Sequence, residues 1–306
     1  TCSRLQYIRF QQDFPTTSGG ILQAKEWALN LIREYCDPPV AEGEPLHYCI
    51  ESTATFHYPI LKLWGGEPSV VNPVLAKAGR RKTDHIDSSL LASSDLTNYW
   101  RTSFVPDDDV NELRVLVNER DYYSRLATKI SNRISNTLTR FGYTISREGS
   151  VTRNEKIREI VTNLIAENPI IPESFHMPPI PEETRAMLRE DYELFEQFDQ
   201  RCNLYKEKML AKAKSMTWET GEGPVSGSDM IDMLCTAPQV GDVTAVVWLA
   251  NIVTPFRFPN AKALAAYCGL DPSVKTSAGK KTSDKKRGGN VVLHKALCAC
   301  ANRLLT

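Results

Sequence analysis

The sequence predicts an α/β region followed by an all-α remainder, and three observations carry that reading. Over residues 1–105 short strand-like runs alternate with helix-like ones, the pattern of an α/β sheet. From Val110 to Phe141 and from Arg185 to Met216, apolar residues recur at steps of three and four, which marks two long helices with one apolar seam each. From Asp229 to Thr306 the runs are short and helical, around one basic loop. Three domains follow: 1–105, a helical coiled-coil region at 106–220, and a small helical domain at 221–306.

Taken in order, Leu5–Phe10 reads as a strand. A helix is predicted over Gly20–Tyr35, with Ile21, Leu22, Trp27, Leu29 and Ile32 as its apolar residues and Thr16-Thr17-Ser18 as a capping region. Leu46–Ile50 is a strand, and Phe56–Trp64 is a short helix closed by Gly65-Gly66. Ser69–Val71 is a strand ended by Asn72-Pro73. The first long seam runs through Leu113, Leu116, Tyr123, Leu126, Ile130, Ile134, Leu138 and Phe141. The second runs through Leu188, Tyr192, Phe195, Phe198, Cys202, Tyr205, Met209, Ala213 and Met216. With the Pro-rich connector Pro169–Pro181 before the second, they predict an antiparallel hairpin or a dimer arm. Glu219–Ser228, rich in Gly, Pro and Ser, reads as a linker. Helices follow over Asp242–Ile252 and Val291–Leu305, flanking a basic loop at Lys275–Gly289.

Composition narrows the function classes. Hydrophobic residues make up 42% and charged residues 24%, a soluble globular balance, and 16 Gly with 18 Pro is ordinary usage. The longest nearly apolar stretch, Val243–Val253, is half a membrane span, which excludes a transmembrane helix. No basic segment leading into an apolar one opens the chain, so no signal peptide is visible and a cytoplasmic location is expected. The eight cysteines contain no C-x-x-C pair, which argues for small buried hydrophobes in a reducing cytosol rather than a zinc site. Net charge is zero, yet Val274–Thr306 holds eight basic residues against Asp284 alone, a net +7 that leaves −7 on the rest. Such a block suggests contact with nucleic acid or another anion; a solvated tail is the plainer alternative.

Four places carry residue types suited to chemistry. Asp84 and Asp87, three apart in Lys82-Thr83-Asp84-His85-Ile86-Asp87, share one face if they open a helix. Paired carboxylates suit a hard cation, Mg²⁺ or Mn²⁺, and equally serve as first-turn caps. Glu51 follows the strand Leu46–Ile50, at the edge where α/β sheets bind ligands. Ser277, between Thr276 and Ala278-Gly279-Lys280-Lys281, can hold or attack a phosphate, or be a polar loop serine. Pro238-Gln239-Val240-Gly241 opens a helix whose amides can face a phosphate, or is a simple turn.

The ordered set of these pieces resembles the insertion-sequence 110 family of DEDD transposases, relatives of the pilin-gene DNA invertase. The matching stretches are Cys49-Ile50-Glu51-Ser52-Thr53, Val70-Val71-Asn72-Pro73 and Lys82–Asp87. They continue through Pro238-Gln239-Val240-Gly241, Phe258-Pro259, Leu264-Ala265-Ala266-Tyr267-Cys268-Gly269-Leu270, Ser277-Ala278-Gly279-Lys280 and Gly289-Asn290, over nearly the whole chain. The resemblance implies an RNase H-like (resolvase-like) N-terminal domain, a coiled-coil insertion and a C-terminal transposase domain. It implies that Glu51, Asp84 and Asp87 are three of four metal-binding acids, that Mg²⁺ (or Mn²⁺) is the cofactor, and that Ser277 is the nucleophile. It also implies DNA as substrate, a guide RNA from the element's non-coding end, and a homo-oligomer. Lys280, Lys281, Lys285, Lys286 and Arg287 are expected to hold nucleic-acid phosphates.

Two departures shape the expectation. The family's first acid lies on a strand upstream of anything matching Phe14-Pro15-Thr16-Thr17, and Asp13 sits too late to replace it. The chain also stops inside an apolar helix, so the polypeptide as given is expected to be catalytically crippled. Ala54 stands where the family usually has Gly. A metal-dependent structure-specific nuclease using water, and a non-catalytic nucleic-acid scaffold, are the rival readings.

Overall fold

The computed structural model describes residues 10–35, 45–52, 55–71, 102–145, 154–172, 175–271 and 288–305, and the backbone at 272–277 and 280–286. The chain divides into two units, Thr1–Val105 and Pro106–Thr306.

In the first unit, α1 (Ser18–Tyr35) starts where Thr17 Oγ1 accepts the Gly20 amide at 3.2 Å, as the capping region predicts. Strands β1 (His47–Glu51) and β2 (Glu67–Val71) pair in parallel, from His47 opposite Glu67 to Glu51 opposite Val71. Parallel neighbours need a crossover, and α2 (His57–Trp64) supplies it. Lys25 on α1 donates to the Leu63 and Trp64 carbonyls at 3.2 and 2.6 Å, putting a cation on the negative end of α2. The Trp64 indole donates back to the Ile21 carbonyl at 2.9 Å. Val70 and Val71 are buried, and Thr102 bridges Val71 in antiparallel sense. This β1–α2–β2 unit is what the described residues show of the expected α/β domain. The strand at Leu5–Phe10 and the segment 82–87 lie outside them, except for Phe10, which is in no strand.

The second unit is organised by two long helices, α3 (Asp108–Arg140) and α5 (Glu182–Ser215), each about 50 Å long at 1.5 Å per residue. They pair antiparallel within the chain: Lys212 on α5 meets Asp109 and Glu112 at the start of α3, while Arg133 near the end of α3 meets Asp191 near the start of α5 at 2.8 Å. Asp107 caps α3 by accepting the Val110 amide at 2.7 Å. The line buried on α3 is Val110, Leu113, Val117, Ala127, Ser131, Ile134 and Leu138. The expected seam residues Leu116, Tyr123, Leu126 and Ile130 flank it, half-buried. Small Ala127 and Ser131 belong to this buried line, while the larger Tyr123, Leu126 and Ile130 stand beside it.

Each end of this hairpin carries its own core. Around one end, Ile134, Leu138, Tyr143 and Ile145 pack with Leu188 and Phe195 and with Ile157, Val161 and Leu164 of α4 (Glu155–Ile165). At the other, Val110, Leu113, Met209 and Ala213 pack against Trp218, Ile231, Leu293 and α7 (Asp242–Ile252). The segment read as a linker at Glu219–Ser228 is instead a β-hairpin turning into a helix: β3 (Thr217–Thr220) and β4 (Gly223–Ser226) pair antiparallel and lead into α6 (Gly227–Cys235), capped by Ser226. The physical reason is Trp218, whose buried ring ties β3 into the core that spans residue 220. A second correction concerns the basic loop. Residues 272–277 and 280–286 pair as an antiparallel hairpin, β5 (Pro272–Ser277) with β6 (Lys280–Lys286), between α8 (Ala261–Tyr267) and α9 (Val291–Leu304). Val274, Thr276 and Thr282 supply β-branched residues, and two residues of sequence join the strands.

Candidate functional site

Glu51 ends β1, side by side with Val71 at the end of β2, at the C-terminal edge of a parallel pair. The Ser52 amide donates to the Val71 carbonyl at 2.9 Å, which fixes the chain just beyond the carboxylate. Glu51 is half-buried. Asp84 and Asp87 lie outside the described residues. Asp13 is exposed and outside any strand. Among the described residues no group of three or more His, Cys, Asp or Glu could hold a metal ion, and Glu51 is the only expected ligand they include. Its chemistry fits the group: an all-oxygen donor at a sheet edge suits a hard divalent cation.

Ser277 is the last residue of β5 and pairs with Lys280, the first of β6. Lys280, Lys281, Lys285 and Lys286 all lie on β6, so the backbone brings the candidate serine and four of the five candidate phosphate-holding residues onto one hairpin. Arg287 lies outside the described residues. The register shifts between Lys275 and Thr276, so that Lys281 stands opposite Thr276 and Ser283 opposite Lys275.

The turn at Pro238–Gly241 has a different character from the phosphate cradle it suggests. Gly241 is the N-cap of α7 without a side-chain bond, but the Asp242 carboxylate accepts the Val243 amide at 2.7 Å and lies 3.8 Å from Lys206 Nζ. An acid already occupies the positive end of this helix, and a phosphate there would meet its charge.

Sequence reasoning named Phe258, Tyr267 and Asn290 only within stretches that match the family, and passed over Asn251 and Arg257 at the foot of the β5–β6 hairpin. Asn251, 8% exposed on α7, donates from Nδ2 to the Val247 carbonyl at 2.8 Å and accepts from Asn290 Nδ2 at 2.6 Å. Its carbonyl accepts from Arg257 at 2.8 Å and from the Tyr267 hydroxyl at 3.2 Å. The Arg257 guanidinium lies 4.5 and 4.7 Å from the ring centres of Phe258 and Tyr267. One signal was present: Asn251 is the only amide in the apolar run Val243–Val253. Three thiols are poor nucleophile candidates, because burial pushes Cys202, Cys235 and Cys268 above the usual thiol range and keeps them protonated.

Comparison with known families gives two matches. A family model described as a transposase, of the DEDD type of IS110 elements, matches residues 13–142. A second, described as "Transposase IS116/IS110/IS902 family", matches residues 231–306. Together they cover about two thirds of the chain. No curated protein matches it.

Proposed function

The chain belongs to the IS110 family of transposases, and from that premise we propose that it recombines DNA through Ser277, with Glu51, Asp84 and Asp87 as metal-holding acids. The family supports DNA cutting and rejoining as the activity and DNA as the partner. The observation that carries the finer reading is the β5–β6 register: Ser277 closes β5 opposite Lys280, and the paired strand brings Lys281, Lys285 and Lys286 with it.

The chemistry balances without an external energy source. The Ser277 hydroxyl attacks a backbone phosphorus, forming a serine–phosphate ester as the bond to one deoxyribose oxygen breaks. The serine proton leaves to a base, and the departing oxygen gains one. A second DNA end then attacks the same phosphorus through its hydroxyl and releases Ser277. Lys280, Lys281, Lys285, Lys286 and Arg287 hold flanking phosphates and offset charge on the reacting one. Glu51, Asp84 and Asp87 would hold Mg²⁺ or Mn²⁺, which when bound supplies positive charge to the phosphate oxygens. A guide RNA from the element and assembly into a homo-oligomer belong to the same proposal.

The test uses the full-length protein, the non-coding RNA of its element, Mg²⁺ and labelled target DNA, read on a denaturing gel. A covalent protein–DNA adduct that disappears in Ser277→Ala is the expected result. Cleavage without an adduct would replace the serine by water and give the nuclease reading. Binding without cleavage would leave a nucleic-acid scaffold.

A further inference from the structure

Both feet of the serine-bearing hairpin are fixed to one small junction. On the β5 side, α8 ends with Gly269 in the left-handed region, at φ +70°. There the Gly269 amide donates to the Ala266 carbonyl at 3.0 Å and the Leu270 amide to the Ala265 carbonyl at 2.9 Å. On the β6 side, Gly289 lies against that turn so closely that a Cβ on it would stand 2.7 Å from Gly269 Cα. The Asn290 amide then donates to the Tyr267 carbonyl at 2.9 Å. Two backbones touch where the hairpin begins and ends.

Asn290 does two jobs from this point. Its Oδ1 accepts the Leu293 amide at 2.9 Å and caps α9, while its Nδ2 reaches Asn251 at the end of α7. The chain beside Asn251 is held in an unfavourable shape. Val253, a β-branched residue, adopts φ +62° and ψ −66°, and the Thr254 amide folds back onto the Ile252 carbonyl at 2.7 Å, making a tight three-residue turn. Strain of this kind persists only where the surroundings over-determine it. Here the turn ends α7 at once and leaves the Asn251 carbonyl to Arg257 and Tyr267.

We infer that Asn251 and Asn290 are positioning residues: their amide pair locks the foot of the β5–β6 hairpin onto α7 and thereby sets where Ser277 is presented. The inference rests on the reading of Ser277 as nucleophile only for its catalytic consequence; the locking itself does not depend on it.

The test uses two substitutions that keep an oxygen cap for α9 and delete the donor to Asn251: Asn290→Ser and Asn290→Asp. Amide hydrogen exchange is followed in 272–286 and, as an internal control, in 242–252. Adduct formation is measured at saturating DNA together with the half-saturating DNA concentration. The expected result is exchange about tenfold faster in the hairpin with α7 protection retained, and an adduct rate about tenfold lower with half-saturation unchanged. Unchanged hairpin exchange in both variants overturns the inference, as does loss of protection in α7 and hairpin together. Faster hairpin exchange with an unaltered adduct rate overturns the positioning role. If the unsubstituted protein forms no Ser277-dependent adduct, the nucleophile reading fails, and the exchange measurement still decides whether the amide pair locks the hairpin.

Discussion

The tie between the long helices is open to a direct test at Arg133 and Asp191. Asp191 is 6% exposed on α5 and takes a 2.8 Å bond from Arg133 Nε on α3, whereas the arginine side chain is 56% exposed. Arg133→Leu leaves the carboxylate facing the helix pair without its cation. A charged hydrogen bond contributes about 1.5–3 kcal/mol, and solvent around the arginine discounts that toward the lower end, so a loss of about 2 kcal/mol is expected. In a unit of about 200 residues this corresponds to a fall in Tm of about 4–8 °C. The second substitution, Asp191→Asn in the Arg133→Leu background, removes the stranded charge and should recover most of the loss. Thermal melts of the four proteins give the coupling. A double variant as unstable as Arg133→Leu alone would refute the reasoning, because the loss would then come from packing by the arginine stem.

Three further predictions follow from other parts of the molecule. Replacing Lys280, Lys281, Lys285 and Lys286 by Gln should reduce the slope of log binding constant against log salt by up to about 3.6, at about 0.9 per phosphate contact on duplex DNA; titrations at several ionic strengths give the slope. Gly289→Ala puts a methyl against Gly269 at a φ of +152°, so Tm should fall and exchange in 272–286 should rise; a melt within 1 °C of the parent, about the resolution of a duplicate measurement, would show that the two chains can part. Arg189 and Arg185 hold the Glu182 carboxylate below its usual range, so its stabilising share is present at neutral pH and is lost only as pH falls through that lowered value. The Tm difference between the parent and Glu182→Gln should therefore close in acid and stay constant from neutral to alkaline pH.

The long helices were legible because a seam repeated over nine turns outvotes any single residue: Val110–Phe141 and Arg185–Met216 fall within three residues of the observed α3 and α5. What the pattern missed was part of the buried line, since it weights large side chains and the line includes the small Ala127 and Ser131. Helix α4 carried Ile157, Val161 and Leu164 at helical spacing behind Asn154 as cap, but its β-branched content masks a helix in propensity terms. The β5–β6 hairpin lacked the apolar alternation by which half-buried strands are recognised, since Lys280–Lys286 holds no apolar residue. The place of Glu51 at the end of a strand was legible, since the expected Leu46–Ile50 and the observed His47–Glu51 differ by one residue at each end. The Asn251–Asn290 pair was not: the two residues are 39 apart, and a lone amide in the apolar run Val243–Val253 does not name its partner.

The nature of that pair has a consequence for how the hairpin can work. The segment from Val274 onward carries a net charge of +7, and the DNA binding proposed for it would be governed by ion release and weaken with salt. An ion pair at its foot would weaken under the same conditions and would compete with nucleic-acid phosphates for the nearby lysines. A neutral amide pair whose acceptor residue is more than nine-tenths buried is indifferent to both. On the proposed reading, affinity and geometry are carried by different interactions: lysines on β6 would gather the nucleic acid, while Asn251, Asn290 and the Gly269–Gly289 contact hold the strands. Raising salt should therefore lower occupancy without changing the adduct rate of the DNA that remains bound.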